Sequence, residues 1–346
     1  VGRDMRAGFI EKPMKAYFID DAPEPQLEHD TDVKIQVRAT GICGSEVHAY
    51  HGKHPWRVPP VVSGHEFSGV VVETGSAVTT CRPGDRVTAE PQYGCSHCYL
   101  CKSGRYNLCP EKKILGASGW SGSFGEYVVL PQQCIVPLPD EVSFAEGALI
   151  EPLAVGMHAV RAHHIQPSTT VAVIGCGTIG LGVVLSAACF HPAALFGIDV
   201  VDFNLEKARS MGAVAAFNSM RDDVVKEIMA RTDGKGVDIT FLAFGNDACV
   251  RQAAEITRPG GTISEIAIMN KDVKASFDLI QVKELHVDGS NMYVRSDYEA
   301  VLAEIAAGHM KPSGFITKRF PITQFGEAME FTDKRPEPVV KTLLEF

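Results

Sequence analysis

The sequence lacks a long hydrophobic segment, and it lacks a cluster of basic residues. No stretch approaches the ~20 apolar residues that a helix needs to span a bilayer. The N-terminus has no apolar core followed by a cleavage site, so we expect no secretory signal. Lys and Arg number 33 against 42 Asp and Glu, for a formal net charge of −9. This balance argues against binding to nucleic acid or membranes and favours a cytoplasmic protein.

The composition also lacks the bias of disordered chains, since charged residues make up 22% and neither Pro nor Gly is extreme. The chain has 346 residues, 45% of them apolar, which is too long for one ordinary core and predicts two domains. Short β-like runs, such as 33–40 and 66–75, predict a mainly β region up to about residue 155.

Strand-like and helical segments alternate from there to about residue 289. The first strand is expected at 171–174, and helices are expected at 181–189, 204–211 and 297–308. Repeated βα units predict an α/β domain built on a parallel sheet with helices on both faces.

Four of the ten cysteines form a cluster, Cys95, Cys98, Cys101 and Cys109, with the spacing C-x2-C-x2-C-x7-C. A disulfide framework is not expected in a chain this long with a large apolar core. Such short spacings let one loop wrap a tetrahedral ion with four thiolates. An iron–sulfur cluster is the alternative, but the ferredoxin run has three residues before its last cysteine, and this chain has seven. We therefore predict a structural zinc site.

A second set of potential metal ligands is spread along the chain. Cys43 lies in GICGSEVH, His65 and Glu66 lie in GHE, and Glu151 lies in LIEP. A catalytic zinc needs three protein ligands and one open position, which a thiolate, an imidazole and a carboxylate supply. Taken singly, such residues are often a buried cysteine or a surface pair. Together with the cysteine cluster they predict a catalytic zinc site.

These motifs occur in the order typical of one family. GHEFSGVVVETGSAV fits the pattern G-H-E-x2-G-x5-G-x2-V, and ALIEPLAVGMHA also matches. The chain thus resembles the zinc-containing medium-chain alcohol dehydrogenases, particularly the polyol (sorbitol-type) branch. The resemblance implies a mainly β GroES-like catalytic domain, residues 1–157 and 293–346, and a Rossmann domain with a doubly wound parallel sheet, residues 158–292. It implies Cys43 and His65 as catalytic zinc ligands and leaves Glu66 and Glu151 as alternatives for the third.

A glycine-rich loop, GCGTIG, follows the strand at 171–174 and opens a helix. In this context Gly175 permits the tight turn, Gly177 lets the backbone approach a pyrophosphate, and Gly180 allows close helix–strand packing. Asp199 ends the next strand, where its carboxylate can accept hydrogen bonds from the adenosine ribose. It would repel a 2′-phosphate, and Asp202 adds negative charge, so NAD is expected rather than NADP.

The resemblance implies further cofactor contacts. Asn204 stands where polyol dehydrogenases often carry an Arg against the adenosine. The other expected cofactor-binding residues are Thr178, Ile179, Ile266, Ala267 and Ile268. The expected cofactors are therefore NAD and two Zn²⁺ per subunit, one catalytic and one structural.

The expected reaction is hydride transfer between a secondary alcohol or polyol and NAD, giving a ketone. Zinc acts as a Lewis acid on the alcohol, as it does on bound water. By resemblance, Ser45 and His48 relay the proton to solvent, for which an imidazole is suited. The alternatives are that Ser45 is a turn residue and that His48 is a surface histidine on a helix.

The substrate pocket is the least defined part. The candidates are residues near the zinc motifs and one later tyrosine, although each aromatic could belong to the core instead. They are Tyr50, His51, His54, Trp56, Trp120, Phe124 and Tyr293. The Arg-Tyr pair that helps to hold polyols in the sorbitol-type branch corresponds to Met292 and Tyr293, which argues against sorbitol itself.

The sequence leaves three alternative functions open. An L-threonine 3-dehydrogenase or a sugar-acid dehydrogenase would share the same zinc and NAD apparatus. A zinc- and NADH-binding sensor without turnover would not require Ser45 and His48. By analogy with the family, the chain is expected to form a homotetramer, with a dimer as the alternative.

Overall fold

The computed structural model describes residues 3–269 and 272–346. The strands, in chain order, are β1 (Asp4–Lys12), β2 (Lys15–Pro23), β3 (Asp32–Ile42), β4 (Glu66–Thr74), β5 (Arg86–Ala89), β6 (Gln92–Tyr93), β7 (Lys113–Ile114), β8 (Tyr127–Pro131), β9 (Ile135–Pro137), β10 (Thr170–Ile174), β11 (Ala194–Asp199), β12 (Ala215–Asn218), β13 (Val237–Leu242), β14 (Thr257–Glu265), β15 (His286–Gly289), β16 (Ile316–Pro321) and β17 (Lys341–Glu345). The α-helices are α1 (Gly44–Tyr50), α2 (Tyr99–Lys102), α3 (Phe144–Arg161), α4 (Thr178–Ala188), α5 (Asp202–Ser210), α6 (Val224–Arg231), α7 (Asp247–Ile256), α8 (Phe277–Val282), α9 (Arg295–Ala306) and α10 (Phe325–Lys334). Short 3₁₀ helices cover Tyr106–Leu108, Gln132–Cys134, Pro312–Phe315 and Ile322–Gln324.

The chain folds into two compact units. The first runs to Glu151 and resumes with Pro312–Phe346, and the second is Pro152–Lys311. The sequence placed the junctions at 157/158 and 292/293, so the second unit is longer at both ends than expected. The reason is local packing within it: the backbone of Gly182 leaves no room for a side chain at Gly156, and Asp297 of α9 binds His158 of α3 at 2.6 Å.

The first unit is mainly β, as the sequence predicted. Its largest sheet has the strand order β16-β17-β3-β4-β5-β9, and β8 also pairs with β3, along residues 32–36. β1 and β2 form an antiparallel pair, as do the short strands β6 and β7. The core of this sheet includes Val33, Ile35 and Phe67, all fully buried. The pairing of β3 with β4 and β17 determines where the first metal-ligand motifs meet.

The second unit contains a six-stranded sheet in the order β12-β11-β10-β13-β14-β15, in which neighbouring strands are parallel. Successive strands run outward from β10 in one direction and then from β13 in the other, as in a doubly wound Rossmann sheet. The strands are buried apolar runs, for example TVAVI in β10. The predicted α/β fold is thereby confirmed.

The predicted helices of the second unit are also confirmed, with shifted ends. α4 starts three residues earlier than predicted because Gly177 is its N-cap, and α5 and α9 each start two residues earlier. Such end shifts are expected, since hydrophobic periodicity does not mark the polar first turn of a helix. Among the residues that the structure describes, none of the helices has the length and hydropathy needed to cross a membrane.

Candidate active site

The cysteine cluster forms a four-sulfur site in the first unit. The Sγ atoms of Cys95 and Cys101 are 3.9 Å apart, and so are those of Cys98 and Cys109. Four thiolates around a tetrahedral zinc with bonds of about 2.3 Å have S···S separations of about 3.8 Å. These two separations match the edge of a zinc tetrahedron, and all four sulfurs lie within 4.8 Å of one another.

The loop backbone is arranged to stabilise thiolates at this site. The amides of Cys98 and Cys101 each donate to the preceding cysteine sulfur at 3.4 Å, and the amide of Cys95 donates to Cys109 at 3.4 Å. Desolvation raises the pKa of Cys95, but amide donors including that of Cys98 outweigh it and lower the pKa to about 6. Desolvation and the neighbouring thiols raise the pKa of Cys101 to about 12. Four thiolates thus require a cation between them, which zinc would supply.

A second donor set also lies in the first unit. Donor atoms of Cys43, His65 and Glu66 all lie within 4.8 Å of one another. Cys43 is the N-cap of α1, immediately after β3, and Glu66 is the first residue of β4. The antiparallel register pairs Gly41 with Glu66, and a side chain at Gly41 would collide with the Glu66 carboxylate. This sulfur, nitrogen and oxygen set suits a catalytic zinc.

The buried carboxylate of Glu46, which the sequence analysis did not single out, connects this donor set to the protein. Its Oε1 accepts from His65 Nδ1 at 2.9 Å and from the Ser63 hydroxyl at 3.1 Å. Its Oε2 accepts from the Cys43 amide at 3.1 Å, and Arg57 Nε lies 3.1 Å from Oε1. Burial raises the pKa of Glu46, but His65 and Arg57 lower it far below its usual range. Because Nδ1 of His65 is bound, Nε2 is the ring nitrogen left for a metal.

Lys341 is the second group that sequence reasoning missed. Its Nζ is 2.7 Å from both carboxylate oxygens of Glu66 and donates to the Ile42 carbonyl at 3.3 Å, and the side chain is buried. Burial lowers the pKa of Lys341, but the charges of Glu66, Cys43 and Glu151 raise it above its usual value. Glu151 is buried and electrostatically close to Lys341, but it is outside the set of donors that lie within 4.8 Å of one another in the described chain.

The expected relay residues both lie on α1. Ser45 is half-buried and its hydroxyl donates to Glu46 Oε2 at 3.3 Å, whereas His48 is exposed in the last turn. One residue therefore stands beside the donor set and the other reaches solvent, so both the relay and the surface-histidine interpretation fit this placement.

The glycine-rich loop adopts the predicted geometry. Gly175 has a φ of +87°, and a side chain there would contact Phe244. A side chain at Gly180 would collide with the Gly175 carbonyl. At Gly177, in contrast, an added Cβ meets nothing within 4 Å. Packing thus requires Gly175 and Gly180, whereas Gly177 leaves open space at the N-terminus of α4, where a phosphate would approach. Thr178 and Ile179 form the first turn of that helix.

Asp199 forms hydrogen bonds with both the glycine-rich loop and the loop that follows β11. Its Oδ2 accepts from the Cys176 amide at 2.7 Å and from the Asn204 amide group at 3.2 Å, and its Oδ1 accepts from two backbone amides. Asp202, counted as extra negative charge from the sequence, instead forms a two-bond ion pair with Arg221 at 2.6 and 2.8 Å. The charge argument for NAD therefore depends on Asp199 alone.

The expected nicotinamide contacts lie in the loop after β14. The amides of Ile266 and Ala267 both donate to the Leu242 carbonyl, at 3.0 and 3.1 Å, and Ile268 is 91% exposed. Ala267 and Ile268 line a cavity of about 650 Å³ together with Phe244. It lies at the carboxyl ends of β13 and β14, where Rossmann domains bind ligands.

Three of the pocket candidates are core residues. Phe124 is fully buried against Phe325 with ring centroids 5.0 Å apart, and Tyr293 is fully buried against Tyr298. Tyr50 belongs to the same core cluster as Phe124. These three side chains pack in the core, and the structure does not place them on an accessible wall.

The other pocket candidates have separate surroundings. Trp56, 59% exposed, and Trp120 both line a cavity of about 950 Å³, but its wall includes Cys109 rather than Cys43 or His65. His51 Nε2 is 2.7 Å from Asp333, and His54 Nδ1 accepts from the Trp56 amide. Burial and the charge of Arg57 lower the pKa of His54 to about 4.

Two family models match the chain. Residues 29–140 match the alcohol dehydrogenase GroES-like domain, and residues 178–307 match the zinc-binding dehydrogenase domain. The two matches cover the cysteine cluster, the Cys43 donor set and the glycine-rich loop from Thr178 onward.

Relatives of known name match along nearly the full length. The chain is 34% identical to the sorbitol dehydrogenase of Bacillus subtilis (strain 168), over 90% of this chain and 89% of that one. It is 34% identical to the D-xylulose reductase of Saccharomyces cerevisiae (strain ATCC 204508 / S288c), over 97% and 96%. The crystal structure of 2R,3R-butanediol dehydrogenase from Bacillus subtilis superposes with a TM-score of 0.89 at 32% identity, covering 99% of both chains. The chain therefore belongs to the zinc-containing medium-chain alcohol dehydrogenase family, in its polyol dehydrogenase branch, and is an oxidoreductase of alcohols.

Proposed function

We propose that this enzyme transfers hydride between a secondary alcohol or polyol and NAD, giving a ketone, with zinc held by Cys43, His65 and Glu66. The observation that carries the proposal is the convergence of these three donors beside a carboxylate–histidine pair, Glu46 and His65. Three protein ligands leave one tetrahedral position for substrate. The hydrogen bond from His65 Nδ1 to Glu46 fixes the ring so that Nε2 is the nitrogen directed to a metal.

When bound, zinc acts as a Lewis acid on the substrate hydroxyl and NAD accepts the hydride. The chain's own part begins with the proton. Ser45 is next to the donor set, and we assign it the hydroxyl that passes the proton onward to His48. The exposed imidazole of His48 then releases the proton to water.

We assign the third ligand position to Glu66 rather than Glu151, because only Glu66 belongs to the close donor set. Lys341 balances the negative charge that Glu66 brings into the buried site. Zinc analysis of Glu66→Ala and Glu151→Ala tests the assignment. Loss of one zinc in Glu66→Ala with full occupancy in Glu151→Ala is expected, and the reverse pattern would contradict it.

We propose a structural zinc in the four-cysteine lobe, supported by the 3.9 Å sulfur separations. All ten cysteines, each within the described residues, are free thiols, which agrees with the reducing cytoplasm as the cellular location. NAD is the proposed cofactor, held by the loop from Gly175 to Gly180 and selected by Asp199. The Gly177 opening supports this assignment, because it leaves the approach that a pyrophosphate needs.

We also propose that the chain forms a homo-oligomer, a homotetramer by analogy with the family, in which β15 is one interface. β15 is an edge of the parallel sheet and all four of its residues are exposed. Phe277, Val282 and Val287 on or just before it are 55–77% exposed. An open apolar edge of this kind is normally covered by another strand. Light scattering tests this, and Val287→Lys is expected to lower the molar mass.

NADH formation from NAD against secondary alcohols, short diols, polyols, L-threonine and sugar acids tests the reaction. The side chain of Met292 carries no hydrogen-bond donor for a sugar hydroxyl, so a short diol or less polar secondary alcohol should exceed sorbitol in kcat/KM. If the zinc-loaded protein turns over no member of this panel, the proposal is contradicted and the sensor alternative is favoured. Preference for L-threonine or a sugar acid would instead replace the substrate class.

A further inference from the structure

A second group of potential metal ligands shares one sulfur with the four-cysteine lobe. Donor atoms of Cys95, His97 and Glu111, which we call the rim set, all lie within 4.8 Å of one another. His97 lies between Cys95 and Cys98, and Glu111 lies two residues after Cys109. The loop that carries the lobe cysteines therefore also carries the rim set, and Cys95 belongs to both donor groups.

The backbone orients the histidine of the rim set. His97 Nδ1 lies 2.9 Å from the Cys95 carbonyl oxygen, which can only accept, so Nδ1 carries the hydrogen of this bond. In the neutral ring the lone pair is then on Nε2, which lies 3.5 Å from Glu111 Oε1. Nitrogen and oxygen ligands of a tetrahedral zinc, with bonds of about 2.0–2.2 Å, are about 3.4 Å apart. The imidazole and the carboxylate are therefore spaced as two ligands of one ion.

The two donor groups differ in their access to solvent. The side chains of His97 and Glu111 are 71% and 63% exposed, whereas Cys109 is buried and the other three lobe cysteines are half-buried. An ion that arrives from solvent therefore reaches the imidazole and the carboxylate before it can contact all four sulfurs. A surface ion pair contributes little to stability, so stability alone gives no reason for this pair to stand beside the lobe.

We propose that the rim set is the entry site through which zinc loads the four-cysteine lobe. Cys95, His97 and Glu111 hold the incoming ion first. Cys95 then stays bound while the other three cysteines replace the imidazole and the carboxylate, and the thiol protons that these cysteines lose pass to solvent. Because one ligand is kept throughout, the ion is not released during the transfer. The inference rests on the structural zinc proposed above.

The test measures the rates at which the lobe gains and loses cadmium, a divalent ion that binds thiolates as zinc does. Cadmium held by four thiolates gives a much stronger sulfur-to-metal charge-transfer absorbance than cadmium held by the single sulfur of the Cys43 donor set. Uptake is followed by stopped flow with the chelator-treated full chain, and release is followed after mixing the cadmium-loaded full chain with excess chelator. The variants are His97→Ala, His97→Asp and Glu111→Gln.

His309→Ala is the matched control. The His309 side chain is 70% exposed and its Nδ1 lies 3.0 Å from Glu304, so it forms the same kind of surface pair as His97. This pair belongs to the second unit and is outside the metal-donor groups found among the described residues.

Loss of a metal-site partner typically costs 10–100-fold in affinity at that site, so His97→Ala should slow uptake and release each at least about 10-fold. The two rates should fall by the same factor, because entry and exit use the same path. The affinity at equilibrium and the final metal content should then stay unchanged. His97→Asp restores a donor and should be faster than His97→Ala, Glu111→Gln should slow both rates less, and His309→Ala should change neither.

Two results for His97→Ala would overturn the entry site. Unchanged rates would show that His97 and Glu111 are only a surface ion pair. Faster release together with weaker binding at equilibrium would show that they stabilise the folded lobe instead. If the wild-type chain gives no four-thiolate absorbance, the structural metal site itself is refuted, whereas a normal final absorbance with unchanged rates refutes the entry site alone.

Discussion

Replacing Glu46 with Gln tests whether the buried carboxylate organises the Cys43 donor set. The amide keeps the side-chain shape and one oxygen acceptor but removes the negative charge. Arg57, buried as well, then keeps its positive charge beside the Leu115 carbonyl and the ring of His65 but loses its paired carboxylate. An uncompensated charge is thereby created in a dry site.

The expected magnitude follows from that burial. Removing one partner of a buried ion pair costs about 3–5 kcal/mol, because the remaining charge stays desolvated. The hydrogen bond from His65 Nδ1 loses its charged acceptor at the same time, and mutating the hydrogen-bond partner of a metal-bound histidine typically costs 10–100-fold in metal affinity. Glu46→Gln should therefore lower both the free energy of unfolding and zinc retention at this site.

Denaturant unfolding of the chelator-treated protein measures the first effect, and competition with a chromophoric chelator measures the second. Glu126→Gln is the control, since Glu126 of the same unit pairs with Arg6, whose side chain is 47% exposed, and should cost less than about 1 kcal/mol. The zinc of the four-cysteine lobe should be retained in both variants. If Glu46→Gln resembles Glu126→Gln in both assays, the carboxylate does not hold His65 and the reasoning fails.

Three further substitutions test the cofactor site, the cysteine lobe and the second unit. Asp199→Ala should raise KM for NAD and reduce the preference of the enzyme for NAD over NADP, as measured by kinetics with both cofactors. Because Arg221 already neutralises Asp202, an unchanged cofactor preference would refute the role of Asp199. Cys98→Ser should remove one zinc per chain and lower the melting temperature, and metal analysis showing two zinc ions would contradict the four-sulfur site. Burial raises the pKa of Asp297, but the His158 hydrogen bond outweighs it and the net pKa is lowered. The wild-type free energy of unfolding should therefore fall as the pH drops below about 3.8, and Asp297→Asn should not show this pH-dependent loss of stability. Identical pH profiles of the two proteins in denaturant unfolding would refute the role of Asp297.

Local patterns were sufficient for most of the fold. The apolar run of β10, the glycines after it and Asp199 at the end of β11 each act through neighbours within about one βα unit, so spacing alone predicted their arrangement. The cysteine lobe was predictable for the same reason. The domain junctions were not, because they depend on where α3 and α9 find packing partners, as at Gly156 and Asp297.

The residues around the Cys43 donor set also include some that the sequence could indicate and some that it could not. Glu46 was visible in GICGSEVH, three residues after Cys43, and a carboxylate at that spacing was the available signal. Lys341 carried no such signal, since the pairing of β17 with β3 brings it to Glu66 across 275 positions. Phe124 and Tyr293 are buried, which agrees with the alternative that an aromatic pocket candidate is as often part of the core as of a pocket.

The buried charges explain why these distant residues belong together. Glu46 is paired with Arg57, and Glu66 is paired with Lys341, so each carboxylate has its own buried cation. Burial lowers the pKa of His65, but Glu46 raises it well above its usual value, and the ring carries a proton when no metal is bound. Metal ligands must be deprotonated, so a dication would displace this proton from His65. A carboxylate variant at either ion pair would leave a buried cation without its partner and would therefore disturb the site both with and without the metal.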